Sequence, residues 1–338
     1  MNGARPRTIA LAIGDPNGIG PEIAVKAAAV LAAETEPRVI VVGDPHVIGF
    51  YCERVAPGLA LREFDGERSE AADTIQMLPA EILPPANFKP GQIDAAAGKA
   101  TVGYVEAALG LVRSGVADAI VGCPHNETAV NEAGIRFSGY PALLAQLTGM
   151  PEERVFMLLI GGGLRIIHVT LHERLHHALA RLTPDLVEAA GRACAQALMA
   201  LGIAAPRIGV FGINPHAGEN GLFGDDDERI TRPAVTALRA AGLDVEGPVG
   251  ADVMLGRRDL DGFVALYHDQ GHIPVKLLAG RTATALSVGA GILFASVGHG
   301  SAFDIAGQGR ADPEAVLRSL RLLSGAAPTK RETAEASA

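Results

Sequence analysis

The chain has 338 residues, 48% of them hydrophobic, with 29 Lys and Arg against 38 Asp and Glu for a formal net charge of −9. That length and apolar content give two domains or one large bilobed one. The acidic balance argues against nucleic acid as a partner, although a local Lys or His site can still hold an anionic substrate.

Three cysteines, Cys52, Cys123 and Cys194, stand without metal-type spacing, which suits a reducing cytosol. The first apolar run is too short for a signal peptide, and no run reaches the length of a membrane span. The expectation is a cytoplasmic protein with no membrane partner.

Residues 8–13 are apolar nearly throughout and read as a buried parallel strand. The loop GDPNGIGPE follows, and Pro21 opens a helix to about residue 33. Strand, glycine loop and helix is the order that cradles phosphate. The loop is not GxGxxG and lacks the P-loop Lys, so a tight strand–helix turn is the preferred reading. Residues 39–42 read as a strand, 45–55 as a helix, 57–94 as irregular, 95–114 as a helix and 119–121 as a buried strand. This alternation implies an α/β sheet with parallel crossovers.

Cys123-Pro124-His125-Asn126 follows that strand. Ligands of open α/β sheets bind beyond strand C-termini, so His125 and Asn126 are site candidates, with helix capping an equal alternative. Cys123 reads as a small buried residue rather than a nucleophile. Residues 155–160 and 164–169 form a hairpin around Gly161-Gly162-Gly163, which breaks the crossover pattern and marks a second lobe.

Beyond it, three strand or loop ends each deliver a histidine: His172 in TLHE, His216 in NPHAGE and His268 in HDQG. Spacing alone leaves a metal site open. A rival is an i,i+4 pair on one helix face, His172/His176 or His268/His272, but Gly271 and Pro274 argue against a helix for the second. Asp252 and Asp269 are candidates for base or ligand-supporting roles, with structural capping an equal alternative.

The string HGSAFDIAGQGRADP resembles the adenosine-binding loop of the isocitrate/isopropylmalate dehydrogenase superfamily, which uses nicotinamide cofactors and a divalent metal. The resemblance implies that His299, Gly300, Ser301 and Ala302 line the adenine pocket, in a cofactor loop reaching Asp312. Asp304 then takes the ribose position: a carboxylate there accepts from both hydroxyls and repels a 2′-phosphate, selecting NAD over NADP. Asp312-Pro313 also has the cap-plus-proline pattern of a helix start. The implied fold is a three-layer α/β/α architecture of two lobes with an active-site cleft between them. Residues 1–124 with 275–325 form the cofactor lobe, 125–274 the metal, substrate and dimerisation lobe, and 326–338 a flexible tail.

GDPNGIGPE, NPHAGE, HDQGHIPVK and the HGSA loop, spread over about residues 8–322, are together similar to the 4-hydroxythreonine-4-phosphate dehydrogenase family. That similarity implies a divalent metal, zinc being the expected ion, held by His172, His216 and His268 at the interface of a homodimer. It also implies substrate contacts from His125 and Lys276. The family's phosphoamino-acid enzymes carry an Asn and an Arg where Ala285 and Phe294 stand, and a Lys where Asn126 stands. Loss of the Arg removes a bidentate phosphate donor.

CPHNETA, GLRIIHVTLHE, FGINPHA, HDQGHIPVKLLA and SVGHGSA instead resemble a branch of the family that acts on ring cis-dihydrodiols. The implied activity is NAD- and metal-dependent oxidative decarboxylation of a dicarboxylate diol, terephthalate cis-dihydrodiol, to protocatechuate. Lys276, Asp252 and Asp269 are the catalytic candidates. Dehydrogenation of 4-hydroxythreonine 4-phosphate or of a sugar-acid phosphate is the alternative, and a non-enzymatic binding role is weaker because the metal and cofactor strings are intact.

Overall fold

The computed structural model describes residues 7–34, 37–66, 71, 73–297 and 300–325. The expected tail at 326–338 and His299 lie outside the described residues. The chain divides into two units, one from the residues up to Leu143 with those from Ile292 on, the other Leu144–Gly291.

The first unit alternates strand and helix. β1 (Thr8–Ala12) is buried at every residue, as its unbroken apolar sequence requires of a strand covered on both faces. α1 (Gly20–Ala32) follows with Pro21 in its first turn. Its N-terminus is tied to protein, because the Ile19 N–H donates to the Ser301 carbonyl at 2.9 Å. β2 (Arg38–Gly43), α2 (Pro45–Val55), β3 (Ala60–Glu63) and β4 (Thr74–Pro79) come next.

The last two strands fall where an irregular segment was expected. β3 is a short, largely exposed edge strand reading ALRE, so it lacks the apolar alternation that announces a strand. α3 (Ala95–Arg113) is capped by Asp94, whose carboxylate accepts the Ala96 N–H at 2.7 Å. β5 (Ala119–Gly122), α4 (Glu127–Glu132) and α5 (Tyr140–Thr148) complete this stretch.

The second unit opens with the expected hairpin, β6 (Phe156–Gly161) antiparallel to β7 (Leu164–His168). Gly162 and Gly163 both take positive φ, 58° and 78°, as a two-residue turn between twisted strands needs. α6 (Leu175–Ala180), α7 (Pro184–Ala200), β8 (Arg207–Phe211), α8 (Arg232–Ala240), β9 (Asp244–Val249), α9 (Ala251–Met254), β10 (Gly262–Ala265), α10 (His268–Ala279) and β11 (Thr284–Val288) follow. The strand order is β11-β6-β7-β10-β8-β9, parallel from β7 onward.

The chain then returns to the first unit as β12 (Phe294–Ser296) and α11 (Glu314–Ser324). This unit's strands run β3-β4-β2-β1-β5-β12, all parallel. The fold is α/β, with the strands of each unit paired mainly in parallel. All three cysteines are free and buried, and burial pushes the Cys123 thiol up, consistent with a packing role. Among the described residues no helix is long and apolar enough to cross a membrane.

Candidate active site

In the second unit the C-terminal ends of β7 and β10 bring four imidazoles together. The rings of His172 and His268 lie 5.2 Å apart between centroids. His268 stacks on His272 at 3.7 Å and 13°, and His272 Nδ1 meets His168 Nε2 at 3.0 Å. His172 and His268 line one cleft of about 670 Å3, together with Leu171, Glu173, Arg174 and Tyr267.

The sequence argued against a helix through His268 and His272, and the structure overturns this: α10 carries both, with Pro274 inside. Close packing outweighs the proline. A Cβ on Gly271 would sit 2.4 Å from His168 Nε2 and 3.0 Å from Ala265 Cβ, so the glycine lets α10 settle onto β7 and β10. The rival pair His172/His176 shares no helix face, because His172 precedes α6 and only His176 lies on it.

His168 carried no signal in the sequence, and His272 only its spacing from His268. His168 is fully buried in a strand, and burial, followed by the neighbouring His272, holds it down to about 3. His272 is held down to about 4, again first by burial and then by its imidazole neighbour His268.

His216 stands apart from this cluster. It opens a run of left-handed residues, His216 to Asn220, with φ between 44° and 84°. Such strained backbone clusters at functional sites. His216 Nδ1 pairs with Glu219 Oε2 at 2.8 Å, and His268 Nδ1 with Asp269 Oδ1 at 2.7 Å. A carboxylate accepts only, so in both rings Nδ1 is the donor, and in the neutral imidazole that leaves the Nε2 lone pair for a ligand. This is the donor chemistry a zinc-like ion takes, with the carboxylate behind the imidazole.

Among the described residues no three His, Cys, Asp or Glu side chains are placed to hold a metal within the chain. Asp252 is exposed beside the His216 loop, its Oδ1 close to Gly250. Lys276 is exposed on α10, one and two turns beyond His272 and His268 and so on their face.

In the first unit, His125 sits edge-on to Tyr140 and Phe137, with ring centroids at 4.5 and 4.7 Å. Burial holds it down to about 4, and its Nδ1 is buried without a hydrogen-bond partner. Asn126 caps α4, its Oδ1 accepting the Ala129 N–H at 2.8 Å. Phe294 is fully buried against Tyr140, so it shapes this site from beneath rather than touching a ligand. Ala285 is half-buried on β11.

The HGSA loop is clamped to the GDPNGIGPE loop. Buried Glu22 accepts the N–H groups of Gly309 at 3.0 Å and Ala311 at 2.7 Å, while Lys26 donates to their carbonyls. Ser301 Oγ is buried without a partner, Ala302 takes a φ of 38°, and Asp304 points to solvent. An orphaned hydroxyl on a loop that also carries an exposed carboxylate fits a ribose-bearing ligand. Gly300 is exposed at the start of this loop, and Asp312 Oδ1 accepts the Glu314 N–H at 3.0 Å, starting α11 one residue later than expected. Asp15, in the first loop, is fully buried with Oδ2 unpartnered, and burial pushes its carboxyl up to about 7.

Comparison with known proteins places these loops in context. The chain is 49% identical to a 1,2-dihydroxy-3,5-cyclohexadiene-1,4-dicarboxylate dehydrogenase from Comamonas over 95% of its own length and 98% of the relative's. It is 43% identical to a D-threonate 4-phosphate dehydrogenase from Cupriavidus necator, over 93% and 95%. A crystal structure of a terephthalate 1,2-cis-dihydrodiol dehydrogenase from Burkholderia xenovorans superposes with a TM-score of 0.81 at 54% identity, covering 95% of this chain and 98% of that one. The family model described as pyridoxal phosphate biosynthetic protein PdxA matches residues 35–323, and the chain belongs to that family.

Proposed function

We propose that the protein is an NAD-dependent oxidoreductase that converts terephthalate cis-dihydrodiol to protocatechuate and CO2, working as a homodimer with a divalent metal at the subunit interface. His172 and His268 would hold the ion, with His216 joining from a second copy. The apolar side chains left exposed on α10 and just after His216, Ile273, Leu277, Leu278, Leu222 and Phe223, support such an interface. Ser301, Ala302 and Asp304, with the flanking His299, Gly300 and Asp312, would hold NAD.

Hydride leaves the carbinol carbon and the hydroxyl proton leaves its oxygen, giving a ketone β to a carboxylate. The bond to that carboxylate then breaks as CO2 departs. Its electron pair closes an aromatic ring whose phenolate oxygen takes up a proton. When bound, NAD accepts the hydride and the divalent ion supplies Lewis acidity that stabilises charge on oxygen. Lys276 would pair with a substrate carboxylate, and His125 and the Asn126 amide would orient the ring. Asp269, hydrogen-bonded to His268, and Asp252, beside the His216 loop, are the candidates to take the hydroxyl proton.

The observation that carries the choice of substrate is Phe294. A phosphorylated substrate calls for Arg or several N–H donors. Here the corresponding side chain is a buried ring under Tyr140 and His125 and offers none. Product analysis tests the reading: NADH, CO2 and protocatechuate should form in equal amounts from the diol. NADH without CO2 would leave a dehydrogenase and remove the decarboxylation.

A further inference from the structure

We propose that His168 and His272 are positioning residues for His268. A one-way chain of hydrogen bonds fixes the His272 ring, and the face of that ring holds the His268 imidazole in its ligating orientation. The inference rests on the reading of His268 as a metal ligand and assigns a role to two histidines that reading leaves unused.

The direction of the chain follows from its first link. His168 Nδ1 lies 3.2 Å from the Met157 carbonyl, which can only accept, so Nδ1 carries the proton. His168 Nε2 is then a lone pair and accepts from His272 Nδ1 at 3.0 Å. That leaves His272 Nε2 bare. The ring cannot turn without breaking the chain, and its near-parallel stack at 3.7 Å sets where His268 lies. Asp269 fixes the other coordinate of His268 by binding Nδ1.

Two further features serve this arrangement. Gly271 lacks the Cβ that would fall 2.4 Å from His168 Nε2, so the glycine admits the buried ring. Met157 lies on β6, directly opposite His168 in the antiparallel register, so the anchor is built into the hairpin. An apolar pair would fill the same space without desolvating two imidazoles. What an apolar pair cannot supply is direction.

The test uses full-length protein, zinc alone as the probe, and a competing chromophoric chelator to read affinity, with near-UV circular dichroism to confirm folding. Supporting groups behind metal ligands are typically worth about 10- to 100-fold in affinity, and a loss of that size is expected for His168→Leu and for His272→Ala. His168→Gln should stay near wild type, because its amide can accept from His272 and donate to Met157. Long-range proton–nitrogen spectra of the wild type should show His272 protonated at Nδ1 and bare at Nε2.

Folded His168→Leu and His272→Ala proteins that bind zinc like wild type would overturn the proposal. So would a wild-type His272 protonated at Nε2, a result that decides the matter even where His168→Leu does not fold. A distinct failure is His268→Ala binding zinc as wild type does, which would remove the ligand reading itself.

Discussion

Phe294 lies with its ring centroid 4.6 Å from that of Tyr140, tilted by 49°, and Tyr140 in turn lies 4.5 Å from His125. The Tyr140 hydroxyl donates to the Cys123 carbonyl at 2.7 Å, so the stack is anchored at the end of β5. Phe294→Ala should cost about 3–5 kcal/mol, the usual range for emptying a buried aromatic site, measured by urea unfolding. Phe294→Arg should destabilise the protein without conferring activity on phosphorylated substrates, because the new charge has no partner in that pocket.

Removal of the metal is expected to abolish turnover, and His216→Ala to lose bound metal while keeping the fold. Elemental analysis beside an activity assay checks both. Full activity in protein verified to be metal-free would contradict the metal assignment.

Asp304 should make NAD the preferred cofactor by on the order of a hundredfold or more in kcat/KM, as expected where a ribose-binding carboxylate is left unpaired and repelled by a 2′-phosphate. Asp304→Ala should narrow the gap, chiefly by weakening NAD. Equal use of both cofactors by the wild type would rule out this role.

Stability should depend on pH through two buried groups of opposite sign. Asp15 rises from its ordinary 3.8 to about 7. Below 3.8 it is protonated whether folded or not. As pH climbs to about 7 the unfolded chain ionises first, and the folded state loses up to about 4 kcal/mol. Asp15→Asn should therefore raise the Tm at pH 8 and lose that advantage near pH 4. His125, held down from 6.5 to about 4, stabilises fully above 6.5 and loses that contribution as pH falls through 4. Thermal melts across this range read both.

Much of the architecture was legible because local and global signals agreed. The unbroken apolar run of β1, the capped α3 and the triple-glycine hairpin each announce one structure, and each forms where expected. What escaped depended on tertiary contact. β3 is exposed and charged, so nothing periodic marks it as a strand. α10 holds Pro274 because Gly271 brings the helix against His168, a gain invisible to propensity.

The site was half legible for the same reason. His172 and His268 come together, as the family resemblance rather than their spacing implied, whereas His216 stays apart within the chain. His168 gave no sign, because a histidine in an apolar strand looks like any core residue until its partner arrives from a distant helix.

The central claim is the choice of substrate, and a paired comparison tests it most directly. Terephthalate cis-dihydrodiol and 4-phosphohydroxythreonine are each offered with NAD to the same metal-loaded enzyme, and kcat/KM is read from NADH absorbance. D-threonate 4-phosphate serves as a third arm because a relative bears that name. The account predicts rapid NADH formation with the diol and little or none with either phosphorylated compound, since Phe294 removes a phosphate donor while Lys276 remains for a carboxylate. Turnover of a phosphorylated substrate equal to or faster than that of the diol would contradict it.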